Sequence, residues 1–272
     1  MSIAKKAAPP HARVSVIIPA RNARQSIGET LGSLVSETPL IEEILLVDDS
    51  STDGTASFAE AEGKRLGLPV RVLQAGARGT GAARNAGLDA ALAPFIYFID
   101  ADDLLAAGGL TALKDRLDAN PDSGLALGTY VRNVDGKRER IERPAGYSSS
   151  KAANARGIIE GLSPSIAIGS ILIRRNVIGK VRFPEGIAYD EDTIFFAAVL
   201  ADTPVVFTEN IVCVYNVNSE RAESRFSIQP QKAYLGWRRA LQPLLGNGLD
   251  RKVSRLQPRS VSGTASAPSV IE

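Results

Sequence analysis

The strongest constraint on the fold is an alternation of short apolar runs and helix-like patterns over residues 14–131. Four apolar runs, each short enough to be a buried strand, lie at 14–19, 44–47, 70–73 and 95–99. Between these runs, apolar side chains recur at the three- to four-residue spacing of a helix. Alternating strands and helices predict βαβ units and an α/β fold with a mostly parallel sheet. Ligands of such sheets bind beyond the carboxyl ends of the strands.

The scarcity of cysteine and histidine excludes several kinds of catalytic site. The 272-residue chain has one cysteine, Cys213, so it cannot form an intramolecular disulfide. Its one histidine, His11, lies near the N-terminus. This leaves no Cys/His zinc site and argues against Ser-His-Asp or Cys-His catalysis. Any acid–base chemistry must therefore rest on carboxylates.

Positive charge is concentrated at the two ends of the chain, although the net charge is only +2. Residues 1–13 hold three basic residues and no acidic one, and residues 251–272 hold four basic residues and one acidic one. The stretch between them therefore carries a net charge of −4. This pattern does not suit a nucleic-acid-binding protein. Solvated tails are the simplest interpretation, and contact of the basic ends with an anionic membrane surface is the alternative.

The sequence lacks the signals of membrane insertion and secretion. No apolar run approaches the ~18 residues that a membrane-spanning helix requires. The first 13 residues contain two lysines but no apolar stretch of the kind found in signal peptides. We therefore expect a cytoplasmic protein.

Acidic residues directly follow two of the predicted strands. Asp48 and Asp49 end the second strand, and Asp100, Asp102 and Asp103 follow the fourth. Three carboxylates at one strand end repel one another unless a positive group lies among them. Mg²⁺ and Mn²⁺ favour such oxygen ligands and bridge to phosphates. We therefore predict a divalent-metal site after the fourth strand, with capping of the next helix by one of these acids as the alternative.

A glycine-rich segment, ARGTGAARNAG at 77–87, follows the third strand and opens a helix. Its spacing fits neither a dinucleotide-binding motif nor a P-loop. Its glycines would let the backbone approach a ligand closely. Arg84 and Asn85 lie one turn into the predicted helix.

Five segments, taken in order, resemble the family 2 glycosyltransferases, which have the GT-A fold. They are SVIIPARN (15–22), ILLVDDSSTDGT (44–55), GTGAARNAG (79–87), FIDADD (98–103) and YDEDTIFF (189–196). Each segment alone is weak evidence, whereas the ordered set is specific. The resemblance implies a Rossmann-like, mostly parallel sheet with helices on both faces and an acceptor-side C-terminal portion. It also implies a nucleotide-sugar donor, usually a UDP-sugar.

The resemblance further implies which residues bind the donor nucleotide. They are Pro19, Ala20, Arg21, Asn22, Asp49, Gly79, Arg84, Asp100, Ala101 and Asp102. The residues at 19–21 would line the base and ribose pocket, and Asp49 would accept a hydrogen bond from the uracil ring. Arg84 matches the family's basic residue at the nucleotide.

A divalent metal, Mn²⁺ or Mg²⁺, is implied by the match of Asp100 and Asp102 to the D-x-D motif. Asp100 would lie near the ribose and Asp102 on the metal. Asp103 makes the register ambiguous and is kept as a second candidate ligand. A bound cation would stabilise the charge on a diphosphate leaving group without a proton donor.

A second acidic cluster, Asp190-Glu191-Asp192, matches the acceptor side of the family. By this resemblance Asp192 would be the general base, with Glu191 as its neighbour. The alternative is ordinary negative charge in the first turn of a helix. Relatives often carry an arginine one or two turns later, whereas residues 195–200 here are wholly apolar.

These expectations give a division of the chain into a central domain and flanking segments. The predicted parts are an N-terminal tail at 1–12, a glycosyltransferase domain at 13–228 with donor half 13–131 and acceptor half 132–228, an amphipathic helix at 229–246 and a disordered tail at 247–272. The amphipathic helix could cover the domain or lie on a bilayer.

Together, the residues and the resemblance predict a metal-dependent, inverting glycosyltransferase. Its acceptor would be a glycan or a lipid-linked saccharide in surface or exopolysaccharide synthesis, reached at the cytoplasmic face of the inner membrane. Two alternatives remain open: a non-catalytic scaffold that binds nucleotide-sugars, and a sugar nucleotidyltransferase. The nucleotidyltransferase would normally carry glycines near the first strand, where PARNARQS at 19–26 has none.

Overall fold

A computed structural model describes most of the chain between residues 13 and 217. The described ranges are 13–76, 79–144, 147, 150–159, 166–186 and 191–217. The predicted N-terminal tail, the amphipathic helix at 229–246, the tail at 247–272 and Asp190 lie outside them.

A nine-stranded sheet forms the centre of the described part of the chain. Its strands are β1 (Val14–Ala20), β2 (Ile41–Asp48), β3 (Val70–Gln74), β4 (Phe95–Phe98), β5 (Leu104–Leu105), β6 (Leu125–Val134), β7 (Lys137–Glu142), β8 (Ile171–Arg174) and β9 (Val205–Val217). The strand order is β3-β2-β1-β4-β8-β6-β9-β5, with β7 paired to β6. Strands β1 to β4, β6 and β9 run in one direction, and β5, β7 and β8 run in the other. The predicted mostly parallel sheet is confirmed.

Helices cover both faces of this sheet. The α-helices in the described residues are α1 (Ile27–Leu34), α2 (Thr55–Leu66), α3 (Thr80–Ala90), α4 (Gly109–Ala119), α5 (Lys151–Ile159), α6 (Arg175–Ile178) and α7 (Glu191–Leu200). Alternate residues of β1 point to opposite faces. Val16 joins a core with Leu31 of α1, whereas Ile17 joins a second core with Leu88 of α3 and Phe195 of α7. In the described residues, no helix has the length and apolar character needed to cross a bilayer.

Some local structure differs from what the apolar patterns predict. The first helix changes to a 3-10 helix over Val35–Leu40, which contains Pro39. The two-residue strand β5, which follows the acidic residues after β4, has no pattern of its own in the sequence and forms because it pairs with β9. The basic segment at 132–143, for which the sequence favours a solvated loop or a hairpin, contains the end of β6 and the hairpin strand β7.

The register of the parallel strands places the acidic strand ends at one edge. Ala20 of β1 pairs with Asp48 of β2, and Ile17 of β1 pairs with Phe98 of β4. The carboxyl ends of β1, β2 and β4 therefore meet at the same edge of the sheet. The chain continues from each of these ends into a loop that carries predicted site residues.

Candidate active site

The loops after β1 and β2 are joined by hydrogen bonds. The backbone N–H of Asn22 donates to Ser51 Oγ at 2.8 Å, and Asn22 Oδ1 accepts the backbone N–H of Thr52 at 2.9 Å. Asn22 has a φ of 51°, in the left-handed region that asparagine tolerates. Of the residues predicted to bind the donor nucleotide at the end of β1, Arg21 and Asn22 are exposed, whereas Pro19 and Ala20 are buried within β1.

Asp49 connects the end of β2 to the start of α3. Its Oδ2 accepts the backbone N–H of Gly79 at 3.0 Å, and the residue is almost fully buried. Gly79 has a φ of 91°, which favours glycine at this position. One oxygen of the carboxylate predicted to bind uracil is therefore bonded to the loop that opens α3.

Two glycines of α3 allow the helix to pack closely against its neighbours. A Cβ atom at Gly81 would lie 2.8 Å from the carbonyl oxygen of Pro184. A Cβ atom at Gly87 would lie 2.5 Å from Cγ2 of Ile17 in β1. Contact with other protein segments, rather than with a ligand, accounts for glycine at these two positions.

Arg84 of α3 connects the two acidic clusters. Its Nη2 donates to Asp100 Oδ1 at 2.7 Å, and its Nη1 donates to Glu191 Oε1 at 2.7 Å. The side chain is 3% exposed and its guanidinium carbon lies 5.3 Å from the ring centroid of Phe183. Burial lowers the pKa of Arg84, but the charges of Asp100, Glu191 and Asp192 outweigh burial and raise the pKa above its usual value. Arg84 is therefore a permanent cation between the clusters.

The acidic residues after β4 differ strongly in exposure. Asp102 is exposed and the Asp100 side chain is 31% exposed, whereas Asp103 is 0% exposed. Asp103 Oδ1 accepts the backbone N–H of Asn216 at 2.8 Å, and its buried Oδ2 has no hydrogen-bond partner among the described residues. Burial, reinforced by the charges of Asp100 and Asp102, raises the pKa of Asp103 well above its ordinary value.

The exposed carboxylate of this loop fits a divalent cation that is shared with a substrate. Within the described ranges, no three His, Cys, Asp or Glu side chains come together as a complete metal-binding cluster. Mg²⁺ and Mn²⁺ commonly bind through one or two carboxylates together with water and substrate phosphates. Asp102, beside Asp100, offers hard oxygen ligands of this kind. Asp103 fits less well, because its carboxylate is buried and bonded to β9.

Glu191 and Asp192 form the first turn of α7, as the sequence predicts. Glu191 is held by Arg84, and Asp192 Oδ1 accepts the backbone N–H of Thr193 at 2.7 Å. The apolar stretch at 195–200 is largely buried in the core. Only the start of α7 therefore contributes polar groups to the site.

Asn85 of α3 holds the segment that precedes α7, a role the sequence analysis missed. Its Nδ2 donates to the carbonyl oxygen of Phe183 at 2.9 Å, and its Oδ1 accepts the backbone N–H of Phe183 at 2.8 Å. The Phe183 ring stacks on Phe195 of α7 with centroids 3.9 Å apart. In the sequence, the one indication of this role of Asn85 is its position next to Arg84.

Residues 15–181 match the model of glycosyl transferase family 2. The chain belongs to this family. The matched region contains β1 to β4, α3 and the acidic loop after β4. The sequence-based family assignment is confirmed.

Curated relatives of the chain are bacterial glycosyltransferases. The poly(ribitol-phosphate) beta-N-acetylglucosaminyltransferase TarS of Staphylococcus aureus is 30% identical over 185 residues, which are 67% of this chain and 31% of TarS. The succinoglycan biosynthesis protein ExoU of Rhizobium meliloti is 37% identical over 152 residues, which are 56% of this chain and 39% of ExoU. The chain therefore spans about a third of the length of TarS and about two fifths of the length of ExoU.

Solved structures confirm the GT-A fold. A crystal structure of S. aureus TarS 1–349 in complex with UDP-GlcNAc has a TM-score of 0.68 and 23% identity, covering 88% of this chain and 68% of that one. The mannosyltransferase PcManGT of Pyrobaculum calidifontis, in complex with GDP-Man and Mn²⁺, has a TM-score of 0.62 and 19% identity, covering 86% and 68%.

Proposed function

We propose that the chain is a metal-dependent, inverting glycosyltransferase. It moves a sugar from a nucleotide-sugar, most directly a UDP-sugar, to a hydroxyl group of a glycan or lipid-linked saccharide. The observation that carries the proposal is the pair of contacts made by Arg84. Because one guanidinium bonds both Asp100 and Glu191, the donor-side and acceptor-side acids belong to a single site.

The donor nucleotide would lie across the carboxyl ends of β1, β2 and β4. Arg21 and Asn22 are exposed at the first of these ends, and Asp49 lies at the second. The TarS structure with UDP-GlcNAc supports a UDP-sugar as the donor. Each of these residues is assigned its role because it occupies the position of a donor-pocket residue in the family's motifs.

Asp102 is our choice of metal ligand, with Asp100 held towards the ribose side by Arg84. When bound, a divalent cation would stabilise the negative charge that develops on the diphosphate leaving group. The PcManGT structure with Mn²⁺ supports a cation of this type. Buried Asp103 would instead hold the loop against β9 through its hydrogen bond from the Asn216 N–H.

Asp192 would act as the general base. Its carboxylate takes the proton of the acceptor hydroxyl as that oxygen attacks the anomeric carbon. The bond from the anomeric carbon to the diphosphate oxygen breaks on the opposite face of the sugar, so the configuration inverts. The Thr193 N–H orients the Asp192 carboxylate, and Arg84 fixes its neighbour Glu191.

Calorimetric titration of UDP, with and without Mn²⁺, tests the donor side of the proposal. We expect binding that requires Mn²⁺ and that weakens at least about tenfold in Asp102→Asn. Asp122→Asn is the matched control, because Asp122 is an exposed aspartate just ahead of β6 at the opposite edge of the sheet. Tight binding of GDP in place of UDP would overturn the uridine assignment. Binding of donor sugars without any turnover would favour the scaffold alternative.

A further inference from the structure

Strand β9 contacts the acidic loop through Asn216. The backbone N–H of Asn216 donates to Asp103 Oδ1 at 2.8 Å, and its side-chain Nδ2 donates to the carbonyl oxygen of Asp102 at 2.5 Å. One residue thus contacts the loop at two successive positions. Asn216 lies outside the residues that match the family model, which end at 181.

The orientation of the Asn216 amide follows from its neighbours. A backbone carbonyl only accepts hydrogen bonds, so the Nδ2 end of Asn216 must face Asp102. The Oδ1 end then faces Asn133 of β6, whose Nδ2 donates to it at 2.7 Å. Asn133 and Asn216 are also register partners in the parallel pair β6–β9. Asn133 therefore supplies a hydrogen bond to the Oδ1 end of the amide whose Nδ2 end holds the loop.

The same strand also holds the exit of the loop. Strand β5 begins directly after Asp103 and pairs antiparallel with β9, with Leu104 opposite Val214. The backbone N–H of Ala106 donates to the carbonyl oxygen of Val212 at 2.9 Å. The main chain at Asp102 is therefore held by strand β4 before it in the sequence and by the pairing of β5 with β9 after it.

We propose that Asn216 is a positioning residue for the divalent cation, acting through the main chain of Asp102. By fixing the Asp102 carbonyl, it limits rotation of the backbone that presents the Asp102 carboxylate. Groups that orient a metal ligand contribute strongly to metal affinity although they do not touch the ion. This inference rests on the proposed function, because it requires a cation at Asp102.

The test measures the Mn²⁺ concentration needed for half-maximal UDP binding, using calorimetry and the Mn²⁺ electron paramagnetic resonance signal. Asn216→Ala should raise that concentration about tenfold. Asn133→Ala should raise it about threefold, because the Asn216 amide loses the hydrogen bond to its Oδ1 but keeps its bond to Asp102. The double variant should be no worse than Asn216→Ala alone, since both substitutions act on one contact.

Asn210→Ala is the matched control for these variants. Asn210 lies in the same strand, and its side chain accepts a hydrogen bond from Thr208 nearby rather than contacting the loop. It should leave the Mn²⁺ requirement unchanged. UDP affinity measured at saturating Mn²⁺ should be the same in all variants, which a general loss of structure would not allow.

The outcomes separate this inference from the proposed function. If wild-type binding depends on Mn²⁺ and Asn216→Ala binds Mn²⁺ as the wild type does, the inference is wrong and the proposed function stands. If wild-type binding does not respond to Mn²⁺, both are wrong. Should Asn216→Ala fail to fold, Asn216→Ser, which keeps only a short hydroxyl group, is measured in the same way and judged by the same criterion.

Discussion

The proposed donor side and the proposed acceptor side of the candidate site are held in different ways. On the donor side, loops from neighbouring strands exchange hydrogen bonds that involve the backbone, as between Asn22 and Thr52. On the acceptor side, α7 and the segment before it are held by two adjacent side chains of α3, Arg84 and Asn85. Donor-side geometry therefore follows from the sheet register, whereas acceptor-side geometry depends on a few contacts between distant parts of the chain.

Removal of Arg84 should affect both sides and have the largest effect on stability. Arg84→Met leaves Asp100 and Glu191 without their shared cation in a mostly buried setting. Breaking a buried pair in this way costs about 3 kcal/mol or more. Urea unfolding at pH 7 should show this loss. Adding Glu191→Gln should recover part of the lost stability, because it removes one of the two carboxylates left without a cation.

The contribution of Arg84 can be contradicted directly. If Arg84→Met unfolds at the same urea concentration as the wild type, the contacts with the two acids do not link the clusters energetically. An equal loss in Arg84→Met and in Arg84→Met/Glu191→Gln would show that the contact with Glu191 contributes nothing.

Removal of the Asn85 side chain should impair the acceptor side while leaving UDP binding on the donor side nearly unchanged. Asn85→Ala strips the hydrogen bonds from both backbone polar groups of Phe183, a cost of about 1–3 kcal/mol. We expect UDP release from UDP-sugars to slow about tenfold, while UDP affinity stays within about twofold of wild type. The matched donor-side variant is Asn22→Gly, which removes the bond to Thr52 but still permits a positive φ.

Asn22→Gly should show the opposite split from Asn85→Ala, with weaker UDP binding and a smaller effect on turnover. Calorimetry and an assay of released UDP measure both quantities on the same samples. If the two variants change binding and turnover in the same proportion, the two sides of the site are not held independently.

A buried carboxylate at the other edge of the sheet should affect stability alone. Although burial raises the pKa of Glu43, hydrogen bonds from the Leu92 N–H, Ser15 and Arg71 outweigh it and lower the pKa overall. The resulting stability is present above the usual glutamate pKa and is lost as pH falls through the lowered value. Glu43→Gln should therefore lower the unfolding free energy by about 1–2 kcal/mol at pH 7, with a shrinking difference at lower pH.

Urea unfolding between pH 3 and pH 7 checks the Glu43 prediction, with UDP release at pH 7 as the control. A difference between Glu43→Gln and wild type that grows as pH falls would contradict it. A loss of UDP release in the folded variant would show that this edge is coupled to the site.

The central strands were predictable because buried parallel strands are short, continuous apolar runs. The runs at 14–19 and 95–99 became β1 and β4, and the intervening helices lie where the spacing places them. Strand β5 could not be predicted, since two residues carry no periodicity and their pairing with β9 is set by contacts more than 100 residues away in sequence.

The sequence singles out the acids of the proposed site, but it does not reveal their contacts. The D-x-D and the Glu-Asp pair stand out by their position after a strand and at the start of a helix. The double contact of Arg84 joins residues 16 and 107 positions away, which no local pattern reveals. The sequence leaves both Asp102 and Asp103 as candidate metal ligands, and only the packing of β9 distinguishes buried Asp103 from exposed Asp102.

The most direct test of the account compares Asp192→Asn with the wild type in two assays on the same samples. One assay is UDP binding in the presence of Mn²⁺, and the other is UDP release from UDP-N-acetylglucosamine and UDP-glucose with added saccharide acceptors. Asp202→Asn, which changes an exposed carboxylate beyond the other end of α7, is the matched control.

The account predicts that Asp192→Asn binds UDP as the wild type does but releases it about 10²- to 10⁴-fold more slowly. Asp202→Asn should behave as wild type in both assays. Unchanged UDP release in Asp192→Asn would contradict the assignment of the base. A folded wild-type protein that binds no nucleotide would contradict the glycosyltransferase proposal itself.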